Sequence, residues 1–116
     1  MPPTLARGAI VLTHFPFTDL SGSAVRPALV VLHGLIGQDL VLAGISSAVR
    51  GAVSPTDFPL DSTHPEFAQT GLRVTSVFRM HKLAAVEQSV IVRRLGHISP
   101  QMQAALDALL RSVLGL

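Results

Sequence analysis

The residues that most clearly indicate chemistry are an arginine and the proline that follows it, Arg26-Pro27. They come after a polar, glycine-bearing stretch, residues 15–23, and before a run of aliphatic residues. Because Pro27 lacks an N–H and disfavours a helical backbone at the preceding residue, the dipeptide predicts the first residues of a strand. A guanidinium held there stays charged and matches two phosphate oxygens. The motif favours phosphate recognition at the edge of a sheet; the alternative is a surface arginine that only opens a strand.

Hydroxyl and imidazole groups elsewhere in the chain complete a set of candidate site residues. Ser46 and Ser47 end an aliphatic run, where either can donate a hydrogen bond to a phosphoryl oxygen or be an ordinary strand-end serine. Histidine exchanges protons near neutral pH, so His81 and His14 are candidate acids or bases, with a solvated histidine as the alternative for each. Asp19 is better suited to capping the turn at 18–22 than to abstracting a proton.

The composition limits the possible cofactors and partners. The chain has no cysteine, which excludes disulfides, thiolate nucleophiles and cysteine metal sites. His33, His64 and His97 show no metal-ligand spacing, so we expect no metal and no cofactor. A net charge of +2 is compatible with an acidic or polyanionic partner, although no run of Lys/Arg forms a basic tail.

The low charge also bears on assembly and location. Only 14% of the residues are charged while 48% are hydrophobic, which predicts some apolar surface in a subunit contact and hence a homodimer. The 116 residues are expected to form one domain, 1–116. The start of the chain is not a signal peptide and no apolar run reaches membrane-spanning length, so a cytoplasmic location is expected.

Short aliphatic runs separated by turn residues predict a mainly β fold. The first three runs are expected to form an antiparallel meander, and a long connection with three prolines, 54–71, is expected to contain an edge strand at 57–60. The predicted strands span 8–12, 28–33, 40–45, 57–60, 72–78, 82–86 and 89–92. Together they indicate a small, strongly bent antiparallel sheet or barrel.

The end of the chain predicts one helix. Ser99 is a candidate N-cap with Pro100 at the first helical position, and the helix is expected to reach about Leu114. Its apolar residues recur at helical spacing and form one stripe for packing on the sheet: Met102, Ala105, Leu106, Leu109, Leu110, Val113 and Leu114.

An ordered set of segments resembles the MazF/PemK family of toxins from type II toxin–antitoxin modules. The resemblance implies an SH3-like antiparallel barrel of the CcdB/MazF type with a C-terminal helix. It also implies a homodimer, an acidic antitoxin partner, and metal-independent cleavage of single-stranded RNA to a cyclic phosphate and a 5′-hydroxyl. The segments are 7–11, 15–23, 26–30, 45–47, 71–79 and 95–99.

The resemblance also suggests roles for individual residues. Arg26 matches the family's active-site arginine, and Ser46-Ser47 match a Thr-Ser pair whose threonine is usually counted as catalytic. His81 lies where some members carry an aspartate, which leads to a predicted catalytic set of Arg26, Ser46 and His81. The residues predicted to contact RNA are His14, Asp19, Ser47, Arg73 and Arg79.

Several positions depart from the family pattern and leave other functions open. Gly8-Ala9 stands in place of a Gly-Asp, and the loop before Arg26 lacks a glutamate that some members carry. A CcdB-like toxin that binds DNA gyrase, or an inactive member that only binds its antitoxin, are the alternatives. Retention of Arg26-Pro27 favours the ribonuclease, because a protein binder does not need a phosphate-binding arginine.

Overall fold

A computed structural model describes residues 5–14, 25–34, 37–47 and 54–116. Asp19 and the rest of the predicted loop at 15–23 lie outside these residues. The described chain forms six strands, two 3-10 turns and one helix. They are β1 Ala9–His14, β2 Val25–His33, β3 Leu40–Ser46, β4 Asp57–Leu60, a turn at Ala68–Thr70, β5 Ser76–Val86, a turn at Gln88–Val90, β6 Ile91–His97 and α1 Pro100–Leu114.

The strands form a single antiparallel sheet in the order β4-β5-β3-β2-β1-β6. The first three strands are neighbours in sequence order, so the predicted meander is confirmed, as is the edge strand at 57–60. Among the described strands β4 and β6 are the two edges, and the ladder between them stays open. The predicted fold class, mainly β with a C-terminal helix, is confirmed.

One long strand replaces two short ones of the sequence prediction. The strand predicted at 72–78 begins only at Ser76, and it continues without a break through the extension predicted at 82–86. Gly44 pairs with Arg79 while its neighbour Ala43 pairs with Leu83, so three residues of β5 are inserted at this point. Such a bulge bends a strand, which is why the sequence pattern looked interrupted there.

Both faces of the central strands are buried. Ile10 and Leu29 belong to the core beneath α1, whereas their chain neighbours Val11 and Ala28 belong to a second buried cluster on the other side. Successive side chains of a strand point to opposite faces, so a strand buried on both sides needs an unbroken aliphatic run. This explains a core built from aliphatic residues with few aromatics.

Helix α1 begins with the predicted cap. The Ser99 hydroxyl oxygen accepts a hydrogen bond from the Met102 N–H at 3.0 Å, and Pro100 occupies the first turn. Met102 and Leu106 are buried against the sheet, but Ala105 and Leu114 are exposed, so the packed stripe is narrower than the sequence predicted.

An ion pair joins the helix to the segment before β1. Both terminal nitrogens of Arg7 donate to the Asp107 carboxylate, at 3.1 and 2.7 Å. This hydrogen bonding raises the pKa of Arg7 and lowers the pKa of Asp107. The pair is largely exposed, so it contributes little to stability.

Two glycines let the turn at Ala68–Thr70 dock on β6. A Cβ at Gly96 would lie 2.2 Å from the Gln69 carbonyl oxygen, and one at Gly71 would lie 2.2 Å from the Leu95 carbonyl oxygen. Gly71 also has a φ of +73°, which favours glycine. The backbone contact therefore fixes where residues 71–75 run against the sheet. No helix of the described chain is both long and apolar enough to cross a membrane.

Gly96→Ala is expected to destabilise the protein, because the new methyl group meets backbone atoms that cannot rotate away. We expect a loss of about 2 kcal/mol in the free energy of unfolding, measured by urea denaturation. Gly34→Ala is the control, because a Cβ at Gly34 would meet no atom within 4 Å. Its expected loss in the free energy of unfolding is about 1 kcal/mol, which comes only from backbone strain at a φ of +76°. A Gly96→Ala variant as stable as wild type would contradict the close approach.

Candidate functional site

Arg26 and Ser46 lie at the ends of two adjacent strands, beyond the last residues at which these strands pair with each other. Pairing between β2 and β3 stops at Ala28 and Gly44, just before Pro27, which has no N–H to donate. Arg26 lies two residues beyond Ala28, and Ser46 two residues beyond Gly44, so alternation places both on one face of the sheet.

The end of β2 still pairs with β1, and the end of β3 still pairs with β5. Arg26 pairs with Thr13 of β1, and Ser46 pairs with Val77 of β5. Thr13 is buried, and its hydroxyl donates to the Val90 carbonyl at 3.0 Å, which ties this end of the sheet to the turn that precedes β6. Arg26 is exposed. A charged guanidinium and a hydroxyl are thus presented on adjacent strand ends that pairing with β1 and β5 holds in place, an arrangement suited to a phosphate.

Two other predicted residues, Ser47 and Arg73, lie elsewhere: Ser47 follows β3 and alternates to the face opposite Ser46, and Arg73 belongs to the segment before β5. They line a groove of about 490 Å³ together with Pro27, the chain neighbour of Arg26. Leu12 pairs with both Pro27 and Arg93, so these three side chains share one face, and all three line the groove. The remaining lining residues are Gly71, Leu72, Val74, Ser76 and Leu95.

Arg93 is a groove residue to which the sequence analysis assigned no role. It lies on β6, far along the chain from β1, and only the pairing with Leu12 brings it to the groove. Within the described residues, the side chains of Arg73 and Arg93 form no ion pair or hydrogen bond, and both residues are exposed. The lining residues that the structure describes are therefore largely aliphatic, and they carry two positive charges and no carboxylate.

His14 is the last residue of β1 and is exposed. It lies close to Arg26 in the sheet, but its side chain points to the other face. It pairs with Val25, one position beyond the Thr13–Arg26 pair, so alternation places its side chain on the face opposite Arg26. The structure thus brings His14 near the strand end without placing it beside the guanidinium.

Arg79 and His81 meet around a buried carboxylate, Asp57, on the β4–β5 edge. The Asp57 side chain is only 1% exposed, and its Oδ2 accepts from the Arg79 guanidinium at 3.1 Å and from the Ser54 N–H at 3.0 Å. His81 Nδ1 lies 3.1 Å from the Thr56 hydroxyl and 3.7 Å from Asp57 Oδ1. In the part of the chain that the structure describes, Oδ1 has no hydrogen-bond partner.

This cluster is separated from Arg26 by strand β3, which lies between β2 and β5, so the strands that carry Arg26 and His81 are about 10 Å apart laterally. Arg79 pairs with Gly44, two residues before Ser46, so alternation places Arg79 on the same face as Ser46. The sequence analysis missed Asp57, because only the pairing of β4 with β5 puts it between the two basic groups. No group of three potential metal ligands occurs among the described residues.

Comparison with known proteins identifies the family. A family model described as PemK-like, MazF-like toxin of type II toxin–antitoxin system matches residues 6–114. The chain therefore belongs to this family, and the predicted toxin of a toxin–antitoxin system is confirmed. The comparison with curated proteins gives no match.

Solved toxins share the fold at low sequence identity. A Mycobacterium tuberculosis toxin, MazF-mt6, matches with a TM-score of 0.70 and 20% identity over 93% of this chain and 97% of its own. A mycobacterial endoribonuclease in complex with its cognate antitoxin matches with a TM-score of 0.68 and 20% identity, over 96% of this chain and 95% of its own. MazF from Deinococcus radiodurans matches with a TM-score of 0.66 and 18% identity, over 100% of this chain and 99% of its own. These similarities show that the fold is the same.

Arg79→Met is expected to destabilise the protein by about 3 kcal/mol, because it leaves the Asp57 charge buried without its cationic partner. The double variant Asp57→Asn/Arg79→Met should recover part of this loss, since the buried charge is removed as well. Urea denaturation of wild type, both single variants and the double variant gives the coupling energy. Additive effects of the two substitutions would contradict a structural ion pair and leave Arg79 available for RNA.

Proposed function

We propose that this toxin is a metal-independent endoribonuclease that cuts single-stranded RNA at a phosphate bound by Arg26 and Ser46. The observation that carries the proposal is the placement of these two side chains on one face, at adjacent strand ends beyond the last pair of β2 with β3. A structural neighbour described as an endoribonuclease supports the same reaction class.

The proposed reaction uses the RNA's own 2′-hydroxyl. Its oxygen forms a bond to phosphorus while the bond from phosphorus to the 5′ oxygen breaks, which leaves a cyclic phosphate and a 5′-hydroxyl. A base takes the 2′ proton and an acid supplies one to the 5′ oxygen. Arg26 stabilises the negative charge that develops on the phosphoryl oxygens, and the Ser46 hydroxyl donates a hydrogen bond to one of them.

His81 and His14 are the candidates for the proton transfers. His81 is 41% exposed but lies across β3 from Arg26, and His14 faces the other side of the sheet. Arg79 donates to the buried Asp57 carboxylate at 3.1 Å, so a contact of Arg79 with RNA would compete with this ion pair. His81 as acid or base, and Ser47, Arg73 and Arg79 as RNA contacts, stay predictions.

The proposed partners follow from the family and the charge. Solved relatives include a toxin bound to its cognate antitoxin and MazE–MazF pairs from Deinococcus radiodurans. We propose an acidic antitoxin for this basic chain, a single domain over 1–116, a homodimer as the active form and a cytoplasmic location.

Arg26→Ala is expected to reduce RNA cleavage by at least about 100-fold, because a preorganised cation facing the reacting phosphate is lost. The assay uses a long single-stranded RNA with EDTA present, and the ends of the products are analysed for cyclic phosphate and 5′-hydroxyl. Arg111→Ala, an exposed arginine in the last turn of α1, is the matched control and should cut like wild type. Wild type that never cuts RNA would favour a protein-binding toxin instead.

Ser46 and His81 are tested by separate substitutions. Ser46→Ala should slow cleavage and Ser46→Thr should retain it, because threonine keeps the hydroxyl that donates to the phosphoryl oxygen. If His81 transfers a proton, His81→Ala should reduce the rate by about 10²–10⁴-fold and remove a limb of the pH–rate profile. A fully active His81→Ala variant would show that His81 transfers no proton and that its role is limited to contacts with Thr56 and Asp57.

A further inference from the structure

The imidazole of His81 lies beside two oxygen atoms that come from the start of β4 and the residue before it. Its Nδ1 is 3.1 Å from the Thr56 hydroxyl and 3.7 Å from Asp57 Oδ1. Because Nδ1 faces these oxygens, the other ring nitrogen, Nε2, points away from them, and the side chain is 41% exposed. The protein thus holds one nitrogen of the ring and directs the other outward.

Hydrogen bonds fix the turn that supplies these oxygens. Within the turn, the Asp57 N–H donates to the Ser54 carbonyl at 3.0 Å, and the Ser54 N–H donates to Asp57 Oδ2 at 3.0 Å. Toward β5, the Met80 N–H donates to the Thr56 carbonyl at 3.2 Å, one residue before His81. The two oxygens therefore have a defined position relative to the imidazole.

The buried charge of Asp57 determines which nitrogen carries the hydrogen when the imidazole is neutral. The carboxylate is 1% exposed, and Arg79 donates to its Oδ2, so Oδ1 is the oxygen that faces the ring. A lone pair on Nδ1 would face a negative oxygen, whereas an N–H at Nδ1 would be attracted to it. The Thr56 hydroxyl oxygen can accept from Nδ1 and donate its own hydrogen to Ser54 Oγ, 3.1 Å away. The favoured tautomer therefore has hydrogen on Nδ1 and a lone pair on Nε2.

The same carboxylate lies on the face of the sheet that carries Ser46. Asp57 pairs with Arg79, and Arg79 pairs with Gly44, two residues before Ser46. Paired residues of neighbouring strands share a face, as do alternate residues of one strand. Strand β3, which carries Ser46, is also the direct neighbour of β5, which carries His81. An imidazole held by this carboxylate is therefore on the side at which Ser46 would meet a phosphate.

We propose that Thr56 and Asp57 are positioning residues that keep hydrogen on Nδ1 of His81, so that Nε2 accepts the proton of the RNA 2′-hydroxyl. The inference rests on the proposed ribonuclease function and gives His81 the part of the base. Nε2 takes the 2′ proton as the 2′ oxygen bonds to phosphorus. The departing 5′ oxygen takes a proton from water, and the imidazolium returns its proton to the hydroxide so formed. Until then, the Nδ1–H of the imidazolium faces Asp57 Oδ1, which stabilises the positive charge.

The first test is a double-mutant cycle in the RNA cleavage assay with EDTA present. Asp57→Asn should lower the rate about 10–100-fold and Thr56→Val about tenfold, since each removes a group that orients the base. When His81→Ala is also present, neither substitution should cause a further loss. Thr63→Val is the matched control, because it removes an exposed hydroxyl that donates to Asp61, and it should cut like wild type. Urea denaturation checks that each variant is folded, and Thr56→Val alone completes the cycle if Asp57→Asn does not fold.

The second test reads the tautomer of His81 without RNA. Long-range ¹H–¹⁵N NMR spectra distinguish hydrogen on Nδ1 from hydrogen on Nε2, and the spectrum of His81→Ala identifies the signals that belong to His81. Wild type should show mainly the Nδ1–H tautomer at His81, and Asp57→Asn should reduce its share. His64 is an internal reference of the opposite kind, because its Nδ1 accepts from the Glu66 N–H at 3.0 Å, so the neutral ring carries hydrogen on Nε2.

The outcomes separate this proposal from the ribonuclease function on which it rests. A mainly Nε2–H tautomer at His81 in wild type, or an equal loss from Thr56→Val with and without His81→Ala, would overturn the positioning role. A fully active His81→Ala variant would also overturn it and leave the ribonuclease standing. Wild type that shows the Nδ1–H tautomer but never cuts RNA would refute the ribonuclease, while supporting the positioning of the imidazole.

Discussion

The missing N–H of Pro27 is the constraint on which the arrangement of both surfaces depends. Pairing of β2 with β3 ends at Ala28 and Gly44, while β1 and β5 continue to hold the outer sides of the two strand ends. The register between β2 and β3 therefore stops before the two strands end. Because residues alternate along each strand, Arg26 and Ser46 lie on one face of these strand ends and Pro27 and Ser47 on the other.

A backbone contact gives the second surface its shape. Gly71 and Gly96 let the turn at Ala68–Thr70 approach β6 more closely than any side chain would permit. The chain that leaves this turn carries Arg73 and Val74 along the sheet, opposite Arg93 of β6. The proposed phosphate site and the groove thus share one end of the sheet without sharing side chains among the described residues.

The buried carboxylate of Asp57 shows why basic residues near a candidate site need not bind substrate. Its charge requires a partner in the protein interior, and Arg79 is that partner at 3.1 Å. His81 lies beside the remaining oxygen, so both groups have a structural reason for their positions. The alignment of Arg79 and His81 with family positions does not reveal this structural role, because Asp57 belongs to β4, which lies outside the segments that resemble the family.

By itself, the sequence determined the mainly β class, the meander of the first three strands, the edge strand at 57–60 and the capped helix, since these follow from local alternation, turn residues and helical spacing. It also singled out Arg26, because proline acts on its immediate neighbour. Only the tertiary structure decided which residues meet. Asp57 reaches Arg79, and Arg93 reaches Leu12, through pairing of strands distant in the chain. Alternation along a strand predicts the face on which a side chain lies, but it does not predict which strand lies alongside. Contacts between residues of paired strands therefore follow only from the tertiary structure.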